Sequence, residues 1–447
     1  MLSIDHVKEL NHLEFLFQKN YTKRTSWHPD QPLLLCGSAR SGKTTAVREF
    51  CGTHSQRFYF SFQNLSESFA PRFFSISRPD IFPSVCDNWD DFFSSLREHF
   101  NGKYHVLVFD DLDTGRDRDG FLRALSAYMS ENSQPNPLVI LPSRRVDSLP
   151  IDGHVHHIRS YSPADLKRSF PRMSDEDRMR LYSITDGLTG LLSLYDEESS
   201  FEENLRAFCS PGSPFHRYGA SLLRDSFRSP DSYSGILYAM SIGKRRLSDI
   251  AAFCDYTNKK CGTYLQALCD AGFVHTKKER SDDKRSTTRY CFDSGYMALW
   301  SRFLMLQQAC SATDNDAFVK ESLDYIDRII VPDRFRYCCE RWFDDHKRRY
   351  ESIGHGFTEF IPETGEPAFD HIYKSGRRMC FLKIWTDIDG RYGSKAFKPL
   401  EDHSSSINTF YDNYYFLFSI HRFSDSMWEL SQQYDNLHLI ESRFLSF

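Results

Sequence analysis

The sequence predicts an α/β protein: a parallel sheet with a helical lid, followed by a winged-helix domain and a C-terminal α/β domain. Three observations carry this. Residues 33–45 read LLLCGSARSGKTT, an apolar strand pattern that runs through a Gly-bounded bend into a helix opening. Residues 104–113, YHVLVFDDLD, are a second apolar run ending in acids. From residue 232 three short helical periodicities precede two strand patterns.

Residues 33–36 are four apolar residues in a row, the mark of a strand covered on both faces. The run reaches Gly37, bends through Ser38, Ala39, Arg40 and Ser41 to Gly42, and opens a helix at Lys43, Thr44 and Thr45. This is the G-x-x-x-x-G-K-[ST] phosphate loop. Its glycines let the backbone turn tightly, successive N–H groups point inward at a polyphosphate, and the helix N-terminus adds partial positive charge. The candidate binding residues are therefore Gly37, Ser38, Ala39, Arg40, Ser41, Gly42, Lys43, Thr44 and Thr45. Lys43 would reach the β- and γ-phosphates, and Thr44 would bind Mg²⁺.

Ahead of the loop, Val7, Leu10, Leu13 and Phe17 recur at helical spacing over residues 5–20. Behind it, alternation at 58–62 predicts a strand, and 89–100 has the spacing of a helix packed on a sheet. Residues 106–109 predict a buried strand whose end carries Asp110 and Asp111, a Walker B arrangement. There Asp110 would orient the Mg²⁺ shell and Asp111 would polarise the attacking water. Another buried strand at 138–141 leaves Ser143, Arg144 and Arg145 at its carboxyl end, where ligands sit in open α/β sheets. Ser143 could sense a γ-phosphate and one arginine could stabilise transferred charge; the plain alternative is a surface strand exit. His154, His156 and His157 predict an exposed edge strand and no metal site. Only His154 and His156 would share a face, and no nearby Cys or acid completes a ligand set.

The first domain is thus residues 1–162. A helical lid is expected over 163–231, with a polar periodic stretch at 175–186, a Gly-bounded turn at 187–190 and a linker at 211–214. Residues 232–292 predict the winged helix, its third helix carrying Cys261, Tyr264, Leu265 and Leu268 inward. Over 232–290 there are eleven Lys/Arg against six Asp/Glu, a net of +5 where the whole chain is −5. Lys259, Lys260, Thr263 and Gln266 fall on the polar face of that helix, which could enter a major groove, while basic wing residues could meet phosphates. Winged helices also serve as protein-contact and lid modules. Residues 293–447 open with a helix carrying Leu299, Trp300, Phe303 and Leu304. Strand patterns follow at 357–361, 368–373, 379–385 and 414–420.

At 447 residues the chain exceeds one hydrophobic core, so several domains are expected. A charge of −5 does not mark the whole molecule as a nucleic-acid or membrane binder, which leaves that role to a local patch. Twelve cysteines fall in no C-x-x-C pair or zinc-finger spacing, so reduced thiols in the cytoplasm are expected. Residues 1–30 hold Asp5, Glu9 and Glu14 among apolar positions and lack the apolar core of a signal peptide. No stretch approaches the roughly twenty apolar residues that span a bilayer, so no membrane partner is expected. The 38 phenylalanines are read as core filling.

Together these motifs resemble the archaeal ATPase family of P-loop NTPases, a group related to the AAA+ and STAND classes. The residues that carry the resemblance are GSARSGKTT, FDDLD, LPSRR, TDGLTG, SYSGILYAMSIG and YMALWSRF, spread over nearly the whole chain. The resemblance implies a P-loop NTPase sheet, an ATP site with Mg²⁺, a winged helix and a C-terminal domain similar to restriction endonucleases. ATP in place of GTP rests on the resemblance alone. Two departures bear on chemistry. Ala39 stands where the family loop has its first arginine, and Asp111 replaces the usual glutamate, one methylene longer, which implies slow hydrolysis. In the last domain an endonuclease-like site would use Glu340, Asp370 and Lys383, but Phe381 occupies the place of the second strand acid, so a degenerate scaffold is expected.

The expected function is a Mg-dependent ATPase that couples nucleotide binding and hydrolysis to domain rearrangement, with a second copy of the chain, in a homo-oligomer, or an unidentified protein as a further partner. The alternatives are a nucleotide-controlled switch with little turnover and a DNA-binding regulator acting through the winged helix.

Overall fold

A computed structural model describes residues 13–15, 31–37, 41–52, 56–63, 65–101, 103–112, 118–130, 137–143, 151–280, 286–309, 315–360, 368–388, 390–407 and 412–446. The chain divides into two compact units, residues 2–160 with 188–190, and residues 161–187 with 191–447.

The first unit is a five-stranded parallel sheet with helices on both faces, the α/β fold of a P-loop NTPase. Its elements are β1 (Leu33–Cys36), α1 (Lys43–Gly52), β2 (Arg57–Ser61), α2 (Ala70–Ser77), α3 (Trp89–Phe100), β3 (Val106–Asp110), α4 (Asp119–Ser130), β4 (Leu138–Ser143) and β5 (His154–His157). The strand order is β2-β3-β4-β1-β5, so β4 lies between the strand that leads into the loop and the strand that carries the acids. One face of the sheet presents Phe58, Phe60, Leu107, Phe109 and Leu141 to α2, α3 and α4. Phe60 stacks on Phe109 at 5.4 Å, and Phe121 meets Phe109 edge-on at 4.9 Å. Ten of the 38 phenylalanines are buried in this core. The other face packs Leu33, Leu35, Val106, Val108 and Ile140 against Val47 and Phe50 of α1 and against Leu13. Covering on both faces is why these strands read as continuous apolar runs. β5 is the edge strand, with His154 and His156 half-buried on one side and Val155 and His157 exposed on the other. Among residues 5–20 only 13–15 are described, and they are helical.

The second unit begins with α5 (Pro163–Ser169), α6 (Asp175–Thr185), α7 (Phe201–Cys209) and α8 (Pro214–Ser226). Residues 211–214, expected as a linker, form instead a tight turn between two packed helices. Ser213 caps α8 by accepting from His216 N at 3.0 Å, Pro214 occupies its first position, and Phe208 stacks on Phe215 at 4.7 Å. Pro is pre-set for that first position, so the composition marks a helix restart.

Next come α9 (Asp231–Ser241), α10 (Leu247–Phe253), α11 (Asn258–Asp270) and the antiparallel hairpin β6 (Val274–Arg280) and β7 (Ser286–Phe292), in the element order expected for a winged helix. α12 follows as Gly295–Leu299, a π turn at Trp300–Leu304 and Met305–Ala309. Its N-terminus is held by Asp186, which accepts from Ser294 Oγ, from Gly295 N at 3.1 Å and from Tyr296 N at 3.3 Å. Tyr296 then reaches α8, where its hydroxyl donates to Phe215 O at 2.6 Å and accepts from Gly219 N at 2.8 Å. That insertion into the helix ladder sets Trp300 against Gly219, where an added Cβ would lie 2.3 Å from the indole.

A second long helix runs as α13 (Asn315–Tyr325), a π turn at Ile326–Ile330, and α14 (Val331–His346). Pro332 explains the turn: it has no N–H to donate and its ring crowds the carbonyl four residues back, so the helix widens just before it. The remaining elements are β8 (Thr358–Glu359), β9 (His371–Ser375), β10 (Arg378–Trp385), α15 (Lys398–Ile407), β11 (Asp412–Ser419), α16 (Asp425–Gln433) and β12 (Leu437–Glu441). They make a separate sheet of order β12-β11-β10-β9-β8, with β10, β11 and β12 parallel and the hairpin β9–β10 antiparallel. Among the described residues no helix is long and apolar enough to cross a membrane.

Two consequences can be measured. Gly219→Ala would gain helix propensity of up to about 1 kcal/mol, yet the clash with Trp300 should make the variant less stable by about 1–3 kcal/mol in urea denaturation. The second concerns His105, which is buried, stacked on Phe100 at 3.7 Å and held between Lys103 O and Tyr128 Oη, each at 2.9 Å. Burial pulls its pKa down from 6.5 to about 4, against the bond to Lys103 O. The unfolded chain takes up this proton near 6.5 and the folded chain only near 4, so acidification across that interval favours unfolding. Between pH 7 and 5 the parent should lose about 2 kcal/mol more stability than His105→Gln, as read by denaturation at each pH.

Candidate nucleotide site

The site grows from the sheet order. β1 runs into the loop, and Gly37 N donates to Ser143 O at 3.1 Å, which ties the loop's entry to the end of β4. An added Cβ at Gly37 would lie 2.8 Å from Ser41 Oγ and 3.1 Å from Ile158 O, so a side chain there would fill the inside of the bend. Gly42 has φ of 92°, a left-handed conformation that glycine adopts without strain. From there α1 starts, with Ala46 N donating to Gly42 O at 2.9 Å. Its first amides carry the partial positive charge of a helix N-terminus. Lys43 Nζ donates to Gly37 O at 2.6 Å and so spans the mouth of the loop. Ser41 is buried, and its Oγ has no hydrogen-bond partner among the described residues. Thr45 is exposed at the start of the helix. Ser38, Ala39 and Arg40 lie outside the described residues, as do Arg144 and Arg145.

Across the loop stands Asp110, buried at the end of β3. Thr44 Oγ1 donates to Asp110 Oδ2 at 2.8 Å, joining two residues 66 positions apart. Tyr59 Oη donates to the same oxygen at 3.0 Å, and Asp111 N donates to Oδ1 at 2.8 Å. Burial pushes the Asp110 carboxyl up, and the Thr44 and Tyr59 hydroxyls and the Asp111 amide pull it back. Asp111 has φ of 62°, which turns the chain sharply after the strand, and it accepts from Ser61 Oγ at 2.7 Å. For a residue other than glycine this conformation is strained, and strain of this kind collects at functional sites. Ser143 lies buried at the end of β4, between the loop and the acids.

Lys43, Thr44, Asp110, Asp111 and Ser143 therefore converge on one end of the sheet. Sequence reasoning missed Tyr59 and Ser61, which hold the two acids from β2. The signal was present: alternation at 58–62 sends Phe58, Phe60 and Phe62 to the core and leaves Tyr59 and Ser61 on the opposite face. Tyr59 is further engaged by Arg48, whose guanidinium lies 4.9 Å from its ring centre. Burial and the Asp110 charge push the Tyr59 phenol up to about 12, so it remains a donor.

The donor set fits a magnesium-bound polyphosphate. A buried serine hydroxyl has no partner among the described residues, a Cβ at Gly37 would crowd the bend, and a threonine hydroxyl meets a carboxylate oxygen in the pattern of a Mg²⁺ site.

The other sequence candidates belong to the second unit. Lys259, Lys260, Thr263 and Gln266 are all exposed on α11; Lys260 lies over the Tyr256 ring at 4.0 Å, and Gln266 donates to Asp270 at 2.8 Å. In the C-terminal sheet the expected acids fall into two pairs. Glu340 meets His371 at 2.9 Å, and Lys383 meets Asp370 at 3.6 Å. Phe381 is buried between Phe369 and Tyr415, at 4.8 and 5.7 Å. Among the described residues no group of three or more His, Cys, Asp or Glu side chains is arranged to hold a metal ion.

No family model matches the sequence, and the comparison with curated proteins gave no match. Solved structures give distant matches. The Orc1 protein of Aeropyrum pernix in complex with DNA is 12% identical with a TM-score of 0.36, over 70% of this chain and 91% of that one. A STAND protein with a tetratricopeptide repeat sensor from Pyrococcus horikoshii is 13% identical with a TM-score of 0.30, over 78% and 52%. DnaA from Aquifex aeolicus bound to AMPPCP is 15% identical with a TM-score of 0.30, over 58% and 88%. Likeness at this level carries no functional argument.

Tyr59→Phe tests the geometry. Removing a hydroxyl that satisfies a buried carboxylate should cost about 1–3 kcal/mol in urea denaturation. An unchanged midpoint would mean that Tyr59 does not hold Asp110.

Proposed function

We propose that the chain is a Mg-dependent ATPase with slow turnover, of the archaeal ATPase kind related to AAA+ and STAND proteins. The contact between Thr44 and Asp110 carries the reading, because a phosphate-loop threonine and a strand-end carboxylate meet where a nucleotide-bound Mg²⁺ would be shared. Gly37, Gly42 and the first amides of α1 would hold the phosphates, together with Ser38, Ala39, Arg40, Ser41 and Thr45. Lys43 would balance charge on the β- and γ-phosphates, and Ser143 would contact the γ-phosphate from β4. The metal supplies charge neutralisation of the phosphate oxygens. Asp111 accepts a proton-side contact from the attacking water and orients it, with Ser61 fixing the carboxylate.

A regulatory reading stands beside this one. Asp111 is short and tied to Ser61, which favours binding with little turnover, so nucleotide occupancy would control the helical lid (163–231), the winged helix (232–292) and the C-terminal domain (293–447). The exposed Lys259 and Lys260 favour DNA as the partner of the winged helix; the C-terminal domain would be a degenerate endonuclease-like scaffold, with Phe381 as core.

Phosphate release decides the matter. Lys43→Ala should lower the rate by about two orders of magnitude, and equal rates in parent and variant would remove the catalytic claim. Asp111→Glu, restoring reach to the water, should raise turnover several-fold while leaving nucleotide affinity unchanged. Tight ATP binding with no phosphate release from either protein would establish the switch.

A further inference from the structure

The hairpin of the second unit carries a charge arrangement that the nucleotide site does not use. Lys277 on β6 and Arg289 on β7 are directly opposite in the hairpin register. Like charges placed so repel one another. Three further cations converge on the same place: Arg245 from the turn between α9 and α10, Arg328 from the π turn before α14, and Arg336 from α14 itself. Together they line a concave cavity of about 280 Å³, and Asp333 is the single carboxylate among its described lining residues. Arg328 shares its charge with Asp324 at 2.7 Å, and Glu340, bonded to His371 at 2.9 Å, also interacts with the Lys277 charge.

The cavity has a fixed frame. Tyr290 N donates to Arg245 O at 2.9 Å, which ties the turn to the hairpin. Arg334 is buried, donates to Asp293 O at 2.7 Å and lies 3.1 Å from Asp186, which pins α14 to the end of β7. The remaining wall follows from Pro332. The π turn it imposes brings Arg328, Asp333 and Arg336 to one side, and turns of this kind recur at functional sites.

Arg245, Lys277, Arg289, Arg328 and Arg336 bring five positive charges to a cavity that Asp333 lines and that Asp324 and Glu340 adjoin, so the described surroundings keep a positive excess that an anion would offset. Guanidinium forks match phosphate oxygens two at a time, and a lysine adds a point charge. We propose that this cavity binds a small ligand with two or three linked phosphate groups. A duplex backbone spaces single charges along a strand and would be met by an outward stripe, such as the exposed Lys259 and Lys260 on α11. A concave cavity with converging cations suits several charges on one compact molecule. All the lining residues belong to the second unit, and the proposal does not rest on how residues 37–45 act.

The probe is inorganic triphosphate, titrated calorimetrically into the full chain carrying Lys43→Ala so that the phosphate loop contributes little. One site is expected. Adding Lys277→Gln with Arg336→Gln, both at exposed positions, should weaken binding at least tenfold, and Arg336→Gln alone should act in the same direction. Lys259→Gln with Lys260→Gln should leave affinity unchanged, and thermal melts of every protein report its folding. ADP in parallel identifies the source: tighter binding than triphosphate means a nucleotide-borne ligand, and equal or weaker binding means the phosphate chain alone. Absence of triphosphate binding overturns the proposal, as does equal binding by the Lys277 and Arg336 variant. Duplex DNA affinity that falls in that variant, with triphosphate unbound, would assign the cavity to nucleic acid and overturn it likewise.

Discussion

A carboxylate at the end of a buried strand must be satisfied or neutralised, since burying a lone charge costs several kcal/mol even after relaxation. Asp110 meets that demand with donors from three elements: Thr44 at the start of α1, Tyr59 on β2 and the Asp111 amide that follows it. These bonds draw the loop toward the strand end and fix the spacing between α1 and β3. The sharp turn at Asp111 follows from the same bond, and it delivers the second carboxylate to Ser61. Site geometry and local stability are one problem here, and the same hydrogen bonds answer both.

The strand order gives that hub its reach. With β4 between β1 and β3, the end of β4 opens between the loop and the acids, and Ser143 sits there through register alone. Aromatic packing holds the sheet on one face and α1 holds it on the other. In the second unit a comparable part belongs to Asp186. It caps α12 and pairs with the buried Arg334, so one carboxylate joins α6, α12 and α14.

Much of this was legible in the chain. The phosphate loop, the acid-ended strand, β4 and the helix over 89–100 were each visible because their patterns are local: continuous apolar runs for strands covered twice, and spacing of three and four for helices on a sheet. The three short helices and the hairpin of 232–292 were visible for the same reason. Elements escaped where the pattern was interrupted or faint. α14 holds a proline near its start, which reads as a break, yet the helix continues by widening into a π turn. The turn at 211–214 read as a linker because a Pro-Gly-Ser-Pro run looks alike between domains and between packed helices. β12, α15 and α16 are short and half-exposed, so their periodicity is weak.

The sequence by itself determined which residues could grip a phosphate chain and which acids end a strand, because backbone conformation and burial are encoded within a few neighbouring positions. It also determined that the second acid at the strand end is the shorter aspartate, Asp111, and that position 381 is a phenylalanine. Only the tertiary structure decided that Tyr59 and Ser61 hold the acids, that Tyr296 enters the ladder of α8, and that Arg245, Lys277, Arg289, Arg328 and Arg336 share one cavity. These partners are separated by tens of residues. Their meeting depends on strand order, on register and on where a proline widens a helix, and no local pattern records it.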